Sequence, residues 1–270
     1  MSSDSRNDIT EVRAEPVVLS DPGKFAYLAE QRGLIVRRAL LASAIRGFLP
    51  VPVMDDVLAR RVRAGLYQKQ ASGRQVDLPP ASATLLAAGD DGSTAVKLTL
   101  AAAAMVAAKF AGRKFLAVLA AGRSADEMAR SFYSATLFDH YCAKLHVGGP
   151  LTPAQADHLR ACLHAVSSGP LPGPVRDAFA QGSRVLGRSL LEAPRWLGQR
   201  IASLGELFVH SGGNPDVLDA LPEETRGDFT WLDRAAQTVE LAMARAGNEH
   251  WGRIVQKFDA LCQRASDDEG

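Results

Sequence analysis

Proline and glycine fall in clusters along this chain, and the stretches between clusters repeat their apolar residues with the period of a helix. Proline lacks the N–H that a helix needs and pushes the residue before it toward extended backbone, so each cluster ends one element and starts another. Pro50 with Pro52, Pro79 with Pro80, Gly148-Gly149-Pro150 and the run from Ser167 to Pro174 divide the sequence in this way. No stretch alternates apolar and polar residues as a half-buried strand does, and no fixed repeat or heptad run is present. With 47% apolar but only 6% aromatic residues, the bulk of the core is Ala, Leu and Val, which favours helices over a sandwich. The expected fold is all-α, a multi-helix bundle with a two-proline corner and a helical hairpin.

Residues 1–22 mix charge, Ser and Asn without a period and read as a disordered tail. Residues 23–168 read as a helical core, 169–174 as a Pro/Gly linker, 175–265 as a C-terminal helical region that is a separate unit or shares the same core, and 266–270 as an acidic tail. Within the core, helices are expected over 24–46 and 54–70, with a short one opened by Pro79-Pro80 and ended near Gly89. A Ser124-to-Glu127 capping box predicts a helix start that runs to about 146, and Thr152-Pro153 predicts another that continues to about 166. These last two form the hairpin. Beyond the linker, helices are expected over 175–192, 194–210, 228–246 and 249–264.

The corner holds Gly47, Pro50, Pro52, Asp55 and Asp56. Its acids suit the start of a helix, where carboxylates cap free N–H groups and complement the dipole, so a structural corner explains it without a ligand. The apolar tract from Ala95 to Ala121 is broken by Lys97, Lys109, Arg113 and Lys114. A spanning helix needs roughly 20 consecutive apolar residues, so two buried helices joined near Gly112 account for the tract better than a single span; a membrane-inserted hairpin is the competing reading.

Thirty-one Lys and Arg against thirty Asp and Glu leave a net charge of +1, and no whole-molecule field attracts nucleic acid. Three cysteines are too few for a disulfide framework and suit a reducing compartment, and the polar, acidic start lacks the pattern of a secretory signal. A cytoplasmic protein is expected.

The hairpin carries most of the His and Cys. Cys142 and His146 are four residues apart, as are His158 and Cys162, a spacing that places each pair on one helix face. In an antiparallel hairpin turning near Gly149, however, His146 lies roughly 12 Å along the axis from Cys162, so those four cannot share a metal. Asp139, Cys142, His158 and Cys162 match in level better, though a carboxylate is an unusual ligand in a structural zinc site. The plainer expectation is no metal or cofactor, with the cysteines in the seam between the helices. No nucleophile elbow, P-loop or dinucleotide fingerprint is present, so a metal-dependent enzyme using this hairpin is the most distant of the functional readings.

After the linker, Val175, Phe179, Leu186 and Leu190 form one apolar stripe and Leu197, Ile201, Leu204 and Phe208 a second. Arg176, Arg184, Arg188, Arg195 and Arg200 fall elsewhere, with Trp196 beside them. An apolar face, an arginine face and a tryptophan suit a helix in the headgroup region of a membrane; the same pattern also makes a surface helix of an ordinary bundle.

The run from Arg38 to Pro52, RALLASAIRGFLPVP, followed by Asp55-Asp56, an arginine-rich helix and the Ala-rich tract, resembles the EcsC-like bacterial proteins over about residues 25–145. That resemblance implies a mostly helical, membrane-associated protein and carries over no catalytic residues. The basic interruptions of the tract depart from a hydrophobic pair of spans. The resulting expectation is a non-catalytic helical protein at the inner face of the cytoplasmic membrane, binding anionic lipid, a protein partner or both. The alternative is a soluble helical scaffold that binds another polypeptide.

Overall fold

The computed structural model of the protein describes residues 24–48, 52–88, 113–169, 173–192, 230–246 and 249–268. Among them the chain is all-α and contains no strand. The helices are α1 (Arg32–Phe48), α2 (Pro52–Gly73), α3 (Pro80–Ala87), α4 (Arg113–His140), α5 (Pro153–Ser167), α6 (Gly173–Glu192), α7 (Thr230–Ala246) and α8 (Glu249–Asp268). A 3-10 turn, Ala26–Ala29, precedes α1, and a π-helical turn, Tyr141–Leu145, continues α4. The tail 1–22, Pro50, the part of the apolar tract from 95 to 112 and the helix expected over 194–210 lie outside the described residues.

Four boundaries differ from the sequence expectation. Ser124 does not start a helix, because α4 runs unbroken from Arg113. A serine three residues before a glutamate caps only where N–H groups are free, and here the preceding turn already supplies their carbonyl partners. The segment expected as one helix from 24 is instead the 3-10 turn followed by α1 from Arg32. Gly173 and Pro174, assigned to the linker, are the first residues of α6, where a proline's missing N–H costs nothing. The tail expected from 266 is helical as far as Asp268.

Helix α4 is the axis of the bundle, in contact with α1, α2, α5, α6 and α8. Every residue from Ala135 to His140 is buried, which a helix achieves only when it is covered on all sides. Around it, Phe132 meets Phe179 of α6 and Trp251 of α8 at ring-centroid separations of 5.6 and 6.0 Å, and Tyr67 of α2 meets Phe138 edge-on at 4.8 Å. Helix α5 starts as expected: the Gln155 N–H donates to the Thr152 hydroxyl, the Thr152 N–H donates to the Gln155 side chain, and Pro153 occupies the first turn.

Helices α6 and α7 approach most closely at Gly182. A Cβ there would collide with Val239 Cγ2 and lie 3.3 Å from the Ala235 carbonyl oxygen, so the missing side chain is what brings the two backbones together. The buried residues Trp231, Ala235, Val239 and Met243 recur every four residues along α7 and form the face that meets α6. Alanine in place of glycine inside a helix normally adds about 1 kcal/mol, whereas overpacking a close contact costs about 1–3 kcal/mol. Gly182→Ala is therefore expected to lower the denaturant midpoint, while Gly187→Ala, where a Cβ meets nothing within 4 Å, raises it. Equal stabilisation by both substitutions in urea unfolding would contradict the close contact at Gly182.

Candidate functional site

A cluster of linked polar side chains lies at the end of the bundle where α2 and α4 terminate. Helix α2 ends in a Schellman turn: the Val76 N–H donates to the Ala71 carbonyl at 2.8 Å and the Gln75 N–H to the Ser72 carbonyl at 3.1 Å. Gln75 takes the left-handed conformation, φ 61°, that glycine more often fills. The turn leaves Arg74 immediately after the last residue of the helix, with its side chain directed across the end of α4. Its Nε and Nη2 donate to the two carboxylate oxygens of Asp139, both at 2.9 Å. Nη2 also donates to the Tyr27 carbonyl at 3.0 Å and Nη1 to Glu30 Oε2 at 2.8 Å. Asp139 is wholly buried, and its hydrogen bonds hold the Arg74 guanidinium protonated well above the ordinary arginine range.

His140 extends the cluster to the C-terminal helix. Its Nδ1 bonds the Tyr27 hydroxyl and its Nε2 bonds Asp259 Oδ1 at 2.8 Å. Burial, then the charges of Asp259 and Asp139, push the Tyr27 phenol up to about 12, so it keeps its proton. Lys144 covers the Tyr27 ring at 5.0 Å from its centroid. The cluster thus joins the turn before α1 and the ends of α2 and α4 to the middle of α8.

An Asp–His–Tyr chain has the connectivity of a proton relay, but its tuning runs the other way. A phenol that acts as a base needs its pKa brought down toward the working pH. Burial instead raises all four tyrosines, Tyr27, Tyr67, Tyr133 and Tyr141. In the Tyr27–His140–Asp259 chain the phenol therefore keeps its proton, and the chain ties the segment before α1 to α4 and α8.

The residues singled out in the sequence are distributed as follows. Asp139 gives both its carboxylate oxygens to Arg74. Cys142, in the π-helical turn, is buried, with its thiol raised to about 12 by burial and then by the charge of Asp139. His158 and Cys162 lie one turn apart on α5, with Nε2 and Sγ 3.3 Å apart. Among the described residues, no three His, Cys, Asp or Glu side chains are placed to share a metal ion. Arg176 pairs with Asp126 of α4 at 2.7 Å, and Arg184 and Arg188 are exposed. Arg195, Trp196 and Arg200 lie outside the described residues, as does Pro50; Gly47 lies in the last turn of α1, Pro52 opens α2, and Asp55 and Asp56 follow in its first turns. Tyr27, Glu30, Arg74 and Asp259 carry no local sequence signal, since each is a single polar residue whose partner is far along the chain.

No protein-family model matches the chain, and neither the curated proteins nor the solved structures contain a match.

Two variants test the buried Arg74–Asp139 ion pair. Arg74→Met leaves the Asp139 carboxylate buried without its cation and is expected to cost about 3–5 kcal/mol in urea unfolding. The double variant Arg74→Met with Asp139→Leu removes both charges and is expected to recover most of that loss; equal instability of single and double variants would show that shape, not charge, matters here.

The tyrosines supply a pH dependence. At pH below about 10 the phenols hold their protons in folded and unfolded chains alike. Between about 10 and 12 the unfolded chain releases them while Tyr27 and Tyr67 remain protonated in the fold, so stability falls as pH rises through that window. Phenolate absorbance should therefore rise together with the loss of helical circular dichroism. A tyrosine titrating near 10 in the still-helical protein would argue against their burial.

Proposed function

We propose that this protein is a non-catalytic helical scaffold that binds the acidic surface of a protein partner through the arginine face of α6. The observation that carries the reading is the division of that helix. Val175, Phe179 and Leu186 are buried in the core, while Arg184 and Arg188 are exposed and form no ion pair among the described residues. A helix that lies in a lipid headgroup region needs its apolar face free, and α6 uses that face to pack on α4 and α7. What it offers outward is charge, which governs orientation and encounter rate with an oppositely charged surface. By sequence, Arg195, Trp196 and Arg200 extend the same basic segment.

The second reading is electrostatic attachment to the anionic inner face of the cytoplasmic membrane, supported by the same two arginines and by the EcsC-like resemblance of residues 25–145. Among the described residues no helix is long and apolar enough to cross a membrane, so such attachment is peripheral for the part of the chain they cover. Each arginine near an anionic surface contributes about 1 kcal/mol and is screened by salt.

Vesicle flotation combined with affinity capture from the native host separates the two. The scaffold reading expects no flotation with anionic vesicles at low salt, and a captured polypeptide that is lost in the Arg184→Glu, Arg188→Glu variant. Membrane attachment expects flotation on anionic but not neutral vesicles, weakened by at least roughly thirtyfold in that variant, the equivalent of two arginine contributions. Unchanged behaviour of the variant in both assays overturns the arginine face as the binding surface, provided its circular dichroism matches the wild type.

A further inference from the structure

We propose that Cys162 of α5 and Cys262 of α8 are a peroxide-sensitive dithiol whose disulfide fastens α8 to the helical hairpin. The two thiols are in hydrogen-bonding contact with each other, and His158 Nε2 lies 3.3 Å from Cys162 Sγ. All three cysteines are free in the structure, but Cys142 has other neighbours, Asp139 and Arg74. With His158 Nε2 beside its sulfur, Cys162 is the member of the pair placed to lose a proton. His158 is placed to take that proton.

The chemistry balances with hydrogen peroxide as oxidant. The Cys162 thiolate attacks one peroxide oxygen and the O–O bond breaks. The departing hydroxide takes the proton from His158 and leaves as water, with Cys162 as the sulfenic acid. The Cys262 sulfur then attacks the Cys162 sulfur, the S–O bond breaks, and the hydroxide leaves with the Cys262 proton as a second water. Two thiols are oxidised by two electrons in total and one peroxide is reduced to two waters; a dithiol reductant reverses the linkage. Burial raises both thiols, so the reaction is slow and answers sustained rather than brief exposure.

The test is peroxide treatment of the folded full-length chain, followed by alkylation of remaining thiols, intact-mass measurement and peptide mapping without reductant. The expected product has lost two hydrogens, retains one alkylatable thiol at Cys142 and yields a linked Cys162–Cys262 peptide. Its melting temperature exceeds that of the reduced protein and returns on reduction. Cys142→Ser should cross-link like the wild type, and Cys262→Ala should stop at a Cys162 sulfenic acid that dimedone traps. His158→Gln should slow cross-linking at least about tenfold while leaving helicity unchanged. A link that includes Cys142, one that forms only in denaturant, or three thiols still alkylatable after prolonged peroxide treatment would each overturn the assignment.

Discussion

A carboxylate with no exposed surface sits at the end of the axial helix, and the arrangement around it follows from the need to neutralise it. Asp139 cannot be hydrated where it lies, and an isolated buried charge is among the most costly features a fold can contain. Arg74 meets it with two parallel hydrogen bonds, and the geometry of the guanidinium fixes how the end of α2 faces the end of α4. The remaining donors of the same group then hold Glu30 and the Tyr27 carbonyl, which places the segment before α1. The next residue, His140, reaches Tyr27 on one side and Asp259 of α8 on the other. Replacing a buried ion pair with apolar groups is often neutral or stabilising, so the effect of these contacts is on register more than on net stability: the Asp139–Arg74 pair and His140 together join four segments distant in the sequence.

Much of the helical framework is legible in the sequence because it depends on local patterns. The four-residue recurrence of Trp231, Ala235, Val239 and Met243 is visible without coordinates, as are Thr152 with Pro153 at the start of α5 and the proline clusters that separate elements. Where local reading fails, it fails because a neighbouring segment changes the requirement. Ser124 has the spacing of a cap but lies inside a continuing helix, where no N–H group is free to be capped. Gln75 adopts a left-handed backbone with no glycine to signal it, supported by the Schellman hydrogen bonds and by burial of Val76 and Ala71 on either side.

The polar cluster could not have been found in the same way. Clustering of His and Cys along the chain drew attention to residues 139–164, and Asp139, Cys142, His158 and Cys162 do lie in that hairpin. The partners of this stretch, however, are single residues with no periodic or spacing relation to it: Arg74 for Asp139, Tyr27 and Asp259 for His140, and Cys262 for Cys162. Antiparallel level-matching could argue against the His146 and Cys162 pairing because both belong to one hairpin. It had no means of supplying residues from other helices.

Together these contacts give α8 a particular standing in the bundle. Among the described residues it rests chiefly on α4 and α5, burying Trp251, Val255 and Phe258, and two of its polar attachments lie less than one turn apart, Asp259 to His140 and Cys262 to Cys162. Helix α6, by contrast, packs on both α4 and α7 and buries Val175, Phe179 and Leu186. The proposed Cys162–Cys262 linkage therefore acts on the C-terminal helix, next to its attachment through Asp259, whereas the exposed Arg184 and Arg188 belong to α6, which packs on α4 and α7.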